Sequence, residues 1–353
     1  MRLAGTNEQI GAKLAEVARI RHGTTGFVSQ EKAALAQLAW LKTNWPEMAS
    51  RAEGVASYLG KKPGSDGFDP SALGYNLDLN VGCSVVFYPP ANVTNGHAML
   101  SRNYDFPTGT FAKFVGAPPV EGARSMTGDP YLIEMRPDKG YASLYMGSYD
   151  LLGGCIDGMN EKGVAVALLA DDVSPNKQPS LNIGLRELTL TRYVLDRCAT
   201  AKEARSLLAN LPYHYMFIPC HYIICDARGD SFVWEVTADG KQRFIVDGKG
   251  KPQIATNHLL SKFGTENLPE GNSFDRFRRL TSEVSSRKAK VTPIEVLTIN
   301  HCVAVPKEAS DAATLWHSVY DLKDRKVKIS FFLGRDAKGN DRRTPYMEFG
   351  FTK

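Results

Sequence analysis

The chain has 353 residues, 43% of them hydrophobic and 23% charged, which is ordinary for a soluble protein with one large domain or two smaller ones. Its 43 Lys and Arg against 38 Asp and Glu leave a formal charge of +5, spread along the sequence without a basic block. That distribution points away from nucleic acid: even Arg276-Phe277-Arg278-Arg279, the densest basic cluster, comes with no binding motif and reads as the solvated face of a helix. No apolar run approaches the roughly 20 residues that span a bilayer, so no membrane partner is expected. The opening Met1-Arg2-Leu3-Ala4-Gly5 lacks the apolar stretch of a secretion signal. The sequence as written therefore reads as cytoplasmic, or as periplasmic or secreted if a leader once preceded it. Six cysteines are too sparse for a disulfide framework and read as mostly buried thiols. Cys220 and Cys225 flank His221, yet no second pair at ligand spacing accompanies them. Strand packing is the better reading there, and no metal and no cofactor are expected.

The first eighty or so residues read as helical. Ile10, Leu14, Val17 and Ala18 share one face over 8–20, and Leu35, Leu38, Leu41, Trp45 and Met48 continue the spacing over 30–58. A Gly-, Pro- and Asp-rich stretch over 60–74 reads as an exposed linker. From Cys83 onward, strands are expected at 84–88, 97–102, 131–136, 142–147 and 164–170, the first two joined by an Asn95-Gly96 hairpin turn. Helices follow at 184–198 and at 201–211, the second capped by Thr200. Strands at 215–225, 231–236 and 253–256, helices at 273–287 and 293–301, and strands at 314–321, 327–333 and 346–351 complete the chain. Runs of hairpins alternating with runs of paired helices imply layered α+β architecture and argue against a strictly alternating βαβ fold.

The chemistry centres on Gly82-Cys83. If that peptide bond is cut, Cys83 becomes a new N-terminus with a thiol nucleophile and an amine that can serve as its base. Glycine before it suits a tight approach to the scissile carbonyl. Nineteen residues later the partner strand ends in Arg102-Asn103-Tyr104-Asp105, and antiparallel pairing returns this end to Cys83. An arginine there favours a thiolate, and a carboxylate can orient the new amine.

These residues resemble a family. Gly82-Cys83-Ser84 followed by Ser101-Arg102-Asn103-Tyr104-Asp105-Phe106 is similar to the linear-amide hydrolases of the N-terminal-nucleophile class. That class holds the choloylglycine (bile salt) hydrolases, the penicillin V acylases and acyl-CoA:isopenicillin N acyltransferase. Asp157-Gly158-Met159-Asn160-Glu161-Lys162-Gly163-Val164, Ala255-Thr256-Asn257-His258 and Ser273-Phe274-Asp275-Arg276-Phe277 resemble further segments in the family's order. Gly5-Thr6-Asn7-Glu8-Gln9-Ile10-Gly11 and Ala313-Thr314-Leu315-Trp316 resemble the acyltransferase branch, whereas Arg102 follows the hydrolases where the fungal acyltransferase has glutamine.

The resemblance implies a four-layer αββα sandwich, a helical propeptide at 1–82 and a catalytic chain at 83–353. It implies Cys83, Arg102, Asp105, Asn257 and Arg276 as catalytic residues, with an oxyanion hole shared by Asn257 and a backbone amide at Ala170, where the hydrolases carry asparagine. Candidate substrate-lining residues are Tyr104, Phe106, Phe111 and Met146. The implied activity is hydrolysis of a small-molecule N-acyl amide through an acyl-enzyme, with homo-oligomerisation left open. Alternatives are an acyl-CoA-dependent N-acyltransferase, an unprocessed thiol hydrolase with His258 or His301 as base, and a non-enzymatic binding protein on the same fold.

Overall fold

The computed structural model describes residues 1–74, 82–110, 118, 121, 129–175, 177–180, 182–287, 289–309 and 311–352. The N-terminal segment begins with strand β1 (Arg2–Gly5) and helix α1 (Asn7–His22). Thr6 and Gln9 form a capping box at the start of α1, and Gly23 takes the left-handed conformation that ends it. Strand β2 (Phe27–Val28) follows, then α2 (Glu31–Asn44) and α3 (Pro46–Leu59). The expected continuous helix over 30–58 is broken because Pro46 disfavours a helical Trp45 while fitting the first turn of α3. Helices α1 and α3 cross so closely that a Cβ on Gly11 would lie 1.9 Å from the Arg51 carbonyl oxygen, so this position requires glycine.

The stretch over 60–74 is not an exposed linker throughout. Its second half forms β3 (Phe68–Asp69), paired with β2, and Phe68 and Leu73 are buried. Asp69 accepts a bond from Arg186 at 3.0 Å, which ties this stretch to the body of the protein.

The first half of the larger region supplies β4 (Gly82–Tyr88), β5 (Met99–Pro107), β6 (Tyr131–Pro137), β7 (Ser143–Gly147), β8 (Asp157–Asn160) and β9 (Val164–Ala170). Helices α4 (Thr189–Arg197) and α5 (Ala201–Leu208) come next, the second capped by Thr200 as expected. Strands β10 (Cys220–Asp226), β11 (Ser231–Val236), β12 (Arg243–Asp247) and β13 (Gln253–Ala255) lead to α6 (Leu260–Phe263), α7 (Asn272–Ser285) and α8 (Pro293–Ile299). The chain closes with β14 (Ala312–Asp321), β15 (Lys326–Arg335), β16 (Asp341–Arg343) and β17 (Met347–Gly350).

Two sheets stack face to face. One has eight strands in the order β1-β6-β7-β8-β9-β10-β11-β12, and the other runs β13-β4-β5-β14-β15-β16 with β17 also on β15. Helices α4 and α5 cover the first sheet, α7 covers the second, and β4 faces β9 across the middle. This is an α+β four-layer αββα sandwich, and its apolar core fills the space between the sheets. The N-terminal segment is mostly helical, but β1 adds a parallel edge strand to the eight-stranded sheet, with Arg2 opposite Glu134. Helix α3 docks on α4 through a fully buried carboxylate, Asp196, which accepts bonds from Arg51 at 2.6 Å and from Trp45 at 3.0 Å. Among the described residues no helix is long and apolar enough to cross a membrane.

Candidate active site

Strands β4 and β5 pair antiparallel with Cys83 opposite Tyr104 and Gly82 opposite Asp105. Alternation along the strands then puts Cys83, Arg102 and Tyr104 on the face between the sheets, and Asp105 with Gly82 on the face toward α7. The connection between the strands is longer than the expected two-residue turn. Only Gly96 adopts positive φ, and Tyr88 pairs with Met99 across the intervening loop.

Cys83 is fully buried and held at both ends. Arg102 Nη2 donates to its sulfur at 3.0 Å, and its backbone N–H donates to Asn257 Oδ1 at 2.6 Å. Burial pushes the thiol up to about 11, against the pull of the Arg102 guanidinium. Arg102 is itself fully enclosed, with Nη1 donating to the Ile156 carbonyl at 3.0 Å.

Strand β13 pairs with β4, with Ala255 opposite Val85, and this delivers Asn257 beside Cys83. Asn257 Nδ2 donates to the Ala170 carbonyl at 2.8 Å, at the end of β9. Its Oδ1 accepts a second bond from Arg276 Nη2 at 2.7 Å, while Arg276 Nη1 donates to the Cys83 carbonyl. One turn earlier on α7, Asn272 accepts the Arg276 Nε–H at 2.8 Å and fixes the guanidinium. Arg276 thus holds the Cys83 carbonyl directly and the Cys83 N–H through Asn257 Oδ1.

Asp105 is 5% exposed, and burial raises its carboxyl to about 6. Thr314 donates to it at 2.5 Å, from beside an irregularity in β14 where the register against β5 shifts. A Cβ on Gly82 would lie 3.0 Å from Asp105 Cβ, so a larger residue before the cysteine would press on this carboxylate. A cleft of about 550 Å³ opens on this side, lined by Gly82, Asp105, Phe106 and Arg276 and by an aliphatic wall that includes Val303 and Val305.

The structure therefore brings Cys83, Arg102, Asp105, Asn257 and Arg276 together, with Ala170 at their margin. Of the expected lining residues, Phe106 borders the cleft and Phe111 lies outside the described residues. Tyr104 and Met146 do not line it. Tyr104 stacks on Trp316 at 3.9 Å between ring centroids and shares a hydroxyl contact with Tyr149, and Met146 is buried in β7. Both face the inter-sheet core, which sequence spacing alone did not separate from the cleft. Thr314 is noted in the sequence only within the resembling segment Ala313-Thr314-Leu315-Trp316, with no role at the site, and the wall at Val303 and Val305 has no local signature.

Neither candidate histidine bonds to Cys83 among the described residues. His258 pairs with Ser273 Oγ at 2.9 Å and is pushed down to about 4 by burial, and His301 pairs with the Tyr346 hydroxyl at 2.7 Å. Cys220 and Cys225, five apart on β10, face opposite sides of their strand.

The sequence model of the acyl-coenzyme A:6-aminopenicillanic acid acyl-transferase family matches residues 92–336. The chain belongs to that family. The match takes in Arg102, Asp105, Asn257 and Arg276 and begins after Cys83. No curated protein matches the chain. Among solved structures, penicillin V acylase from Agrobacterium tumefaciens is 24% identical over 70% of this chain and 82% of its own, with a TM-score of 0.47. A mutant of the conjugated bile acid hydrolase from Clostridium perfringens is 16% identical over 77% of this chain and 97% of its own, at 0.48. The Caenorhabditis elegans ortholog of N-acylethanolamine-hydrolyzing acid amidase is 15% identical over 68% and 92%, at 0.44.

Proposed function

We propose that this acyl-transferase family member cuts its own Gly82-Cys83 bond and then hydrolyses linear amides of small N-acyl compounds, with Cys83 as nucleophile. The observation that carries the reading is the double hold on Cys83: sulfur on Arg102, main-chain nitrogen on Asn257. In self-cleavage the Cys83 sulfur attacks the Gly82 carbonyl, the C–N bond breaks as the nitrogen takes a proton, and water hydrolyses the resulting thioester. The products are a small chain of residues 1–82 and a large chain of 83–353 with a free α-amine.

That amine, with an ordinary pKa of about 7.7 to 8.0, accepts the thiol proton near neutral pH. Asn257 Oδ1 and the Asp105 carboxylate orient it. The sulfur then attacks the substrate carbonyl, and the oxyanion is met by Asn257 Nδ2 and the Ala170 amide, which shares a strand edge with the carbonyl that Asn257 touches. Collapse expels the amine, which leaves with the proton, and water releases the acid from the acyl-enzyme.

A second reading, acyl transfer from a CoA thioester to an amine, is favoured by the family match. Incubation with a panel of N-acyl amides, with and without acyl-CoA and excess amine, separates the two. Hydrolysis predicts free acid without CoA, and a large chain that gains the acyl mass only when Cys83 is present. Product that forms only with acyl-CoA would replace hydrolysis by transfer.

A further inference from the structure

Asp157 opens β8 in the eight-stranded sheet, is fully buried, and reaches across the sandwich to the other sheet. Three side chains of β14 donate to it. Trp316 Nε1 reaches Oδ1 at 3.2 Å, and the hydroxyls of Ser318 and Tyr320 reach Oδ2 at 2.9 and 2.8 Å. These three alternate along the strand and share one face. The same carboxylate lies 3.6 Å from Arg102 Nη1, while Arg102 Nη2 is the nitrogen that donates to the Cys83 sulfur. One enclosed guanidinium thus stands between a carboxylate and the nucleophile.

We propose that Asp157 is the counter-ion that shares the Arg102 guanidinium with Cys83, and so governs how much of that positive charge the sulfur can use. This rests on the reading of Cys83 as the nucleophile. A buried charge needs a partner, and here one cation stands against two neighbours, the Asp157 carboxylate and the Cys83 sulfur. With Asp157 ionised, Arg102 is already balanced, and a thiolate adds an excess negative charge in a buried place. Without that balance, the sulfur becomes the neighbour best placed to neutralise the guanidinium.

Around this pair, Cys155 approaches Asp157 from the turn before β8 with its thiol pushed up to about 12 by burial, and the α-amine that cleavage would free sits on Cys83 itself. Asp105 and Arg276 act on Cys83 from β5 and α7, with opposite signs. Tyr104 and Tyr320 face Arg102 from β5 and β14, and Cys220 approaches from β10; burial pushes all three well above their ordinary ranges, so they stay neutral at neutral pH. Asp157 is the anion against Arg102 that the proposed reaction does not use.

The test is the ultraviolet absorbance of the thiolate in the intact protein, titrated in each background with and without Cys83→Ser so that the difference belongs to Cys83. Asp157→Asn should move the Cys83 transition down by about one unit, roughly tenfold more thiolate at a fixed lower pH, while Arg102→Gln moves it up. Ser318→Ala keeps the carboxylate but removes a donor that stabilises it. Asp157 then leans harder on Arg102, and the transition should rise by about half a unit, roughly threefold less thiolate. If Asp157→Asn fails to fold, Ser318→Ala and Tyr320→Phe decide, and an unmoved transition in both overturns the proposal. A transition raised by Asp157→Asn would also overturn it, leaving Asp157 as mere scaffold for Arg102. If Arg102→Gln itself leaves the transition in place, the role given to Arg102 falls, and this proposal with it.

Discussion

Arg276 Nη2 donates to Asn257 Oδ1 at 2.7 Å, so a helix side chain fixes which way the Asn257 amide points. With Oδ1 held by Arg276 and by the Cys83 N–H, Nδ2 is left facing the end of β9, where an oxyanion would form. Losing one such donor typically costs about 10²- to 10³-fold in kcat, roughly 3 to 4 kcal/mol. Asn257→Ala should therefore lower kcat by about that factor with KM comparable. Arg276→Lys, which replaces a fork by a point charge, should lower kcat by less, and the two losses should not add because they act on one amide. Steady-state kinetics on the processed enzyme checks this; an unchanged kcat in Asn257→Ala removes the residue from the mechanism.

The Asp105 carboxyl is buried at a cost in stability. Its carboxyl is raised from 3.8 to about 6 in the fold, so the folded chain binds the proton more tightly than the unfolded one. Its contribution to stability therefore falls as pH rises from about 4 through about 6, and the penalty is complete above that, on the order of 2 to 3 kcal/mol. Asp105→Asn should melt higher than wild type at pH 8, match it near pH 3.5, and lose most turnover. A variant equally stable at both pH values would contradict the assignment.

The N-terminal segment should remain bound after cleavage. Asp196 is buried between Arg51 on α3 and Arg192 on its own helix, and it also accepts the Trp45 indole N–H. Removing one side of such an arrangement typically costs about 3 to 5 kcal/mol, because a buried charge is left unpaired. Asp196→Asn should release residues 1–82 from the processed protein at lower urea than wild type, as read by size-exclusion chromatography. Equal urea dependence would place the attachment elsewhere, for instance in the β1–β6 pairing.

Only one cysteine should matter to the chemistry. Cys83, though buried and pushed upward like Cys155, Cys198, Cys220 and Cys225, has a sulfur that accepts a bond from an arginine, whereas the Cys220 and Cys225 thiols face backbone carbonyls and Cys302 is half-buried at the margin of the cleft. Cys83→Ala should abolish acyl-enzyme formation, whereas Cys155→Ala or Cys225→Ala should keep it. Loss of the acyl-enzyme in a folded Cys155→Ala protein would move the nucleophile.

Much of the site could be read in the sequence because its parts are local. Cys83 and Arg102 lie on consecutive, paired strands, and Asn257 and Arg276 fall inside recognisable segments. Strand β9 and strand β11 match their expected bounds because continuous apolar runs mark buried strands. Several misses trace to partners distant in sequence. Strand β1 pairs in parallel with β6, more than a hundred residues away, and carries no local alternation. The short β8, Asp157–Asn160, is polar and glycine-containing, and its buried carboxylate finds its partners, Arg102, Trp316, Ser318 and Tyr320, on strands of the other sheet. Tyr104 and Met146 looked like pocket walls because nothing in their spacing says which layer they face.

The most direct test of the account is the intact mass of the active protein under denaturing conditions, with N-terminal sequencing of the larger species. The account predicts two chains, residues 1–82 and 83–353, the larger beginning Cys-Ser-Val-Val, and a single uncut, inactive chain in Cys83→Ala. A fully active wild-type protein that remains one chain of 353 residues would contradict it.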